Sequence, residues 1–188
     1  MSKRTAFATL VVLCFAVVSG AHAQAPAPKA GALTALDYIE IQQLIAKYAR
    51  AIDTCSNNGY DYADLFTADG AFIPSFEGKQ LAPIQGREKL AEVSGGGSKN
   101  CKNVPWIDQG VRHIYTNHVI TPSAEGATGV VDMLMIGLGG DPNKIEYDGF
   151  YEDTYVRTAQ GWRFKQRVHH ALLREGQRVT SAPAAPAR

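Results

Sequence analysis

Residues 34–53 read TALDYIEIQQLIAKYARAID, and the fold follows from how this stretch is decoded. Tyr38, Ile41, Ile45, Tyr48 and Ile52 recur at the three- and four-residue spacing of one apolar helical face, so the stretch predicts an amphipathic helix with one side in a core. Thr34 with Asp37 three residues later supplies a capping start. The far end is less orthodox. Asp53 falls in the last turn, where the macrodipole is negative and a carboxylate costs roughly 0.3–1 kcal/mol. At the rim of the apolar stripe such an acid either frays into water or is kept, partly desolvated, for proton chemistry or for pairing with a buried histidine.

Upstream, Lys3 and Arg4 lead into the apolar run 6–18, and Ala21-His22-Ala23 has the small-x-small form of a signal-peptidase site. Residues 1–23 therefore read as a signal peptide cleaved before Gln24, which sends the chain to the periplasm or outside the cell. The run is too short to span a bilayer, and Cys14 within it follows Leu13, a poor setting for lipid attachment, so no stable membrane anchor is expected. Residues 24–32 form a flexible Ala/Pro-rich leader, residues 33–175 one domain, and residues 176–188 a disordered Ala/Pro-rich tail. The formal charge of +1 becomes −1 once Lys3 and Arg4 are removed. With no basic run and no stacked-aromatic motif, nucleic acid is not an expected partner. Cys55 and Cys101 remain after cleavage, and an oxidising compartment allows them to form a disulfide or to stay as separate thiols.

Downstream of the helix, Tyr60 to Phe66 predicts a short second helical segment, AFIPSF a strand whose Pro74 marks an edge or bulge, and REKLAEV after Gly86 a third helix. Ser94-Gly-Gly-Gly-Ser98 reads as a mobile connection, because no strand feeds it and no P-loop lysine follows. The second half reads as strands. Alternation over 109–121 puts Val111, His113, Tyr115, Asn117 and Val119 on one face and Arg112, Ile114, Thr116, His118 and Ile120 on the other. TGVVDMLMIGL, EYDGFYEDTYVR and GWRFKQRVHHAL follow, each separated by turn residues. Helices first and long strands after predict an α+β domain in which one strongly curved antiparallel sheet wraps around three helices. Side chains either fill its concave face or leave it open as a pocket.

The helix order, the phrase FTADGAF after the second helix and the ending YEDTYVRTAQGWRF resemble the SnoaL-like branch of the nuclear-transport-factor-2-like superfamily. That resemblance implies a cone-shaped sheet, a cystatin-like α+β barrel with a deep pocket between helix and sheet, and it suggests a homodimer. Tyr48, Asp53 five residues on and His113 on the long strand are similar to the active sites of bile-acid 7α-dehydratase and scytalone dehydratase. There an aspartate of the first helix orients a histidine; hexachlorocyclohexane dehydrochlorinases share the Asp and His. Two departures stand out: no second histidine has a clear counterpart, and Phe72 stands where a second tyrosine is expected.

By their own chemistry, Asp53 and His113 can act as one base, the carboxylate fixing the imidazole tautomer and stabilising the imidazolium formed on proton uptake. The expected reaction removes a proton beside a carbonyl and returns it to a departing hydroxyl, which calls for neither cofactor nor metal. Tyr48 is the candidate hydroxyl donor. Asn117, Asp132, Phe72, Tyr115 and Met133 are the candidate substrate-binding residues for a small hydrophobic or polycyclic ligand. The alternatives are a core histidine with no role and an exported protein that binds a hydrophobic ligand without changing it. Arg157 and Arg167 either meet an anionic substrate or lie solvated, while His118 is expected to point away from His113.

Overall fold

The computed structural model describes residues 31–172, so the signal segment with Cys14, most of the leader and the Ala/Pro-rich tail lie outside the described residues. Helix α1 (Ala35–Thr54) is capped as its sequence predicts. The Thr34 hydroxyl accepts from the Asp37 N–H, and the Asp37 carboxylate takes the Thr34 N–H and hydroxyl in return. Ile41, Leu44, Ile45, Tyr48, Ala51 and Ile52 form its buried face. Each large aliphatic there contributes roughly 1.5–3 kcal/mol by leaving water. No helix among the described residues is long and apolar enough to cross a membrane.

The other helices are single turns or little more: α2 (Tyr60–Ala63), α3 (Arg87–Val93) and α4 (Pro105–Asp108). The strands are β1 (Phe66–Phe76), the two-residue β2 (Lys79–Gln80) and β3 (Ile84–Gln85), β4 (Arg112–Ser123), β5 (Gly126–Ile136), β6 (Ile145–Thr158) and β7 (Gly161–Ala171). They form one sheet in the order β2-β1-β7-β6-β5-β4, with β3 also paired to β1. The sheet is mixed rather than wholly antiparallel, because β1 runs parallel to β7. Register shifts interrupt the β4–β5, β5–β6, β6–β7 and β1–β7 ladders. Such bulges bend strands, and they let the sheet curl around α1.

Two expectations from the sequence need correction. The Ser94–Gly97 connection is not a loose link: its residues are buried, and a Cβ on Gly96 would come within 2.0 Å of the Asn58 carbonyl oxygen. Glycine is required there because two backbones touch. Alternation along β4 also changes phase. Asn117 adopts φ 54°, and the register slips between Thr116 and Val119. Beyond the slip, Val119 is 61% exposed while Ile120 packs against the core. An extra residue in one strand reverses every facing after it.

Candidate functional site

Asp53 lies in the last turn of α1 and His113 at the start of β4. Both are largely buried, 6% and 9% exposed respectively. Their side chains meet: Asp53 Oδ1 is 2.5 Å from His113 Nδ1. The backbone N–H of His113 donates to both carboxylate oxygens at 3.2 Å. One residue therefore supplies both ring and main-chain contacts, which fixes the carboxylate against the edge strand. A proton on Nδ1 directed at Asp53 leaves the lone pair of the imidazole on Nε2.

The helix end that carries Asp53 is clamped. Cys55, the left-handed C-cap residue, is joined to Cys101 by a disulfide with Cα atoms 6.0 Å apart. Trp106 Nε1 donates to the Ile52 carbonyl at 3.1 Å, satisfying an acceptor that the ending helix leaves open. The segment from Gly95 to Gln109 thus wraps the C-terminus of α1. Sequence reading saw the two cysteines but not Trp106, whose partner lies 54 residues away.

A groove of about 490 Å³ opens over the dyad, lined by Ile45, Ala49, Asp53, His113, Tyr115 and His118 among others. It runs between α1 and the β4 edge and is not the deep central pocket implied by resemblance. The middle of the cone is filled: Tyr48, Tyr62, Met133, Tyr155, Phe164 and Arg167 are fully buried there. A second cleft of about 560 Å³ on the far flank of α1 has a charged rim of Lys47, Arg50, Asp61, Asp64 and Arg163, with no histidine in its lining. Among the described residues no three His, Cys, Asp or Glu side chains gather as a metal cage would require.

The candidate substrate-binding residues separate. Tyr115 lines the groove. Its hydroxyl is buried close to that of Tyr151 without completing a well-formed hydrogen bond, and burial, first, pushes it well above an ordinary phenol. Tyr48 does not reach the groove. It stands in the aromatic core, its hydroxyl 3.1 Å from that of Tyr62, and burial raises it as well. Phe72 and Met133 are core residues too, and Met133 Sδ accepts from the Tyr151 hydroxyl at 3.4 Å. Asn117 and Asp132 face away from the dyad. The Asn117 amide donates to Asp132 Oδ2 at 2.7 Å on the exposed side of the sheet, a consequence of the bulge.

The bulge does the reverse for His118, bringing it into the groove wall beside His113 and Tyr115. Its Nε2 is shielded from water and has no hydrogen-bond partner, and burial, then the charge of Arg167, holds the imidazole below its ordinary basicity. A positive φ at Asn117 is the only local signal for this, and asparagine's tolerance of that region was the available hint.

Arg167 is the largest departure from sequence expectation. It is 0% exposed, at the centre of the cone, with its Cζ 4.0 Å from the Tyr48 and Tyr151 ring centroids, 4.6 Å from Phe164 and 5.1 Å from Tyr115. Asp153 Oδ1 lies 3.5 Å from its Nε, while Asp153 Oδ2 accepts from the Tyr155 hydroxyl at 2.7 Å. Burial pushes the Asp153 carboxyl up to about 6, opposed by Arg167 and the Tyr155 bond. Arg157, by contrast, is spent on Asp37 and Glu40 at the start of α1.

A model of the SnoaL-like domain family matches residues 33–168, and the chain belongs to that family. No curated protein matches it significantly. Several solved structures share the fold. An NTF2-like protein with a cystatin-like fold from Novosphingobium aromaticivorans is 23% identical with a TM-score of 0.55, covering 73% of this chain and 82% of that one. A protein of unknown function with a cystatin-like fold from Nostoc punctiforme is 21% identical with a TM-score of 0.55, over 82% and 97% of the two chains. Another Novosphingobium aromaticivorans protein, provisionally named a scytalone dehydratase, is 22% identical with a TM-score of 0.54, over 73% and 85%. At these identities the likeness is one of fold.

Proposed function

For this SnoaL-like chain, we propose a lyase or isomerase, most simply a dehydratase, acting on a small hydroxylated cyclic carbonyl compound. The observation that carries the reading is the 2.5 Å contact between Asp53 and the His113 ring under an open groove. His113 Nε2 takes the proton beside the carbonyl, and Asp53 stabilises the imidazolium so formed. Tyr115, rather than Tyr48, donates to the carbonyl oxygen as it gains negative charge, once its ring turns the buried hydroxyl into the groove. The imidazolium then protonates the departing hydroxyl, which leaves as water, and the carbon–carbon double bond closes the balance. The name of one structural neighbour, provisionally a scytalone dehydratase, is in keeping with this chemistry.

The test is turnover. Hydroxylated cyclic ketones incubated with the protein are expected to lose the mass of one water, and His113→Ala is expected to abolish that loss. Unchanged ketones with the intact protein, or equal loss with the variant, sink the proposal. A second reading, a carrier that binds a hydrophobic ligand unchanged, draws on the apolar part of the groove lining, Ile45, Ala46, Ala49 and Ile114. Equal ligand affinity in both forms, with no conversion, favours it.

Export is part of the proposal: the signal segment over residues 1–23 motivates it, and the Cys55–Cys101 bridge suits an oxidising compartment. Intact-mass analysis of the periplasmic or secreted protein is expected to give a chain that begins at Gln24.

A further inference from the structure

The guanidinium of Arg167 is fully buried, yet none of its three nitrogens makes a hydrogen bond. Its nearest anion, Asp153, sits at 3.5 Å without the alignment a bond needs, and aromatic faces occupy the rest of its surroundings. Ring faces stabilise the charge but accept none of the N–H donors in the usual sense. A planar fork left unspent in a dry interior is the arrangement that a carboxylate completes, two parallel bonds at a time. Three of the surrounding rings, Tyr48, Tyr151 and Phe164, are locked in the core. The fourth, Tyr115, lines the groove, has no well-formed bond to lose, and stands two residues before the strand irregularity at Asn117.

Resting on the proton-transfer role given to the groove, we propose that Arg167 is the receptor for a carboxylate on the substrate, reached when the Tyr115 ring swings outward. The substrate class is then narrowed to cyclic carbonyl compounds that carry an acid group. Tyr115 is two residues along β4 from His113, roughly 7 Å in a strand.

Benzoate and its neutral counterpart benzamide serve as probes, titrated into the folded protein and followed by NMR. Benzoate is expected to bind at least tenfold more tightly, Arg167→Gln to erase that preference, and His113→Ala to keep it. Equal binding of the two probes by the natural protein, or a preference that persists in Arg167→Gln, overturns the proposal. If Arg167→Gln does not fold, Asp153→Asn decides. Removing the internal counter-charge is expected to tighten benzoate several-fold while benzamide is unmoved, and unchanged benzoate affinity overturns the assignment. Because the readout is binding, a benzoate preference without ketone turnover sinks the lyase and keeps the receptor, and turnover without the preference does the opposite.

Discussion

The two ends of α1 each carry an aspartate, and they are used in opposite ways. Asp37 sits in the first turn, where the macrodipole favours a negative charge. Its oxygens are fully engaged, Oδ2 by the Thr34 N–H and hydroxyl, Oδ1 by Arg157 and the Trp162 indole. The Thr34 backbone bond, first, holds its carboxyl below the ordinary range. Asp53 sits in the last turn, against the dipole, and its partner in the site is one residue, His113, bound through both ring and main chain. The first acid is spent on capping the helix and holding it to the sheet. The second is held where helix electrostatics disfavours it, clamped by the disulfide and by Trp106, as the proposed proton-transfer role would require.

The sharpest way to break this contrast is Asp53→Asn. It is expected to lower turnover by roughly 10²–10⁴-fold, because the imidazolium loses its counter-ion, while changing unfolding free energy by no more than about 1 kcal/mol. Measured kcat on a converted ketone beside a denaturant curve checks both halves; retained activity makes the two acids alike. Removing the clamp comes next. Cys101→Ser opens a loop whose ends are 46 residues apart and is expected to cost about 4 kcal/mol in chemical denaturation, with loss of activity as Asp53 loosens.

Acid titration separates a third acid from the first two. Asp153 binds its proton more tightly folded, at about 6, than at its ordinary 3.8. Its stabilising contribution is thus complete below 3.8 and lost as pH rises through about 6, a fall of at most about 3 kcal/mol. Asp37 has the opposite sign: its contribution is present above 3.8 and lost as pH falls through its depressed value. Stability measured across this range should show both slopes, the upper vanishing in Asp153→Asn and the lower in Asp37→Asn. The smallest expected effect is that of Asp37→Asn near neutrality, about 1 kcal/mol of stability with kcat untouched.

Much of the fold was legible because local rules governed it. The cap of α1, its buried stripe, the third helix over 87–93 and the long strands β4 to β7 follow from periodicities of three to four and of two. The adverse position of Asp53 was also legible, since a charge against a dipole needs no tertiary knowledge to look odd. The parallel β1–β7 pairing was not legible, because strand partners far apart in sequence leave no local trace. The faces of β4 were readable only as far as Thr116. One residue in a left-handed conformation turned Asn117 outward and His118 inward, and alternation cannot announce its own interruption.

The sequence by itself determined the cap and buried stripe of α1 and the odd placing of Asp53, which rest on repeating patterns and residue chemistry, while the family fold and the Asp53–His113 pairing entered through the resemblance to SnoaL-like proteins. The tertiary structure alone decided which tyrosine faces the groove, where Arg167 lies, and that the centre of the cone is filled rather than hollow. The reason is that side-chain burial depends on sheet curvature, and that curvature is set by bulges whose effect accumulates over strands distant in the chain.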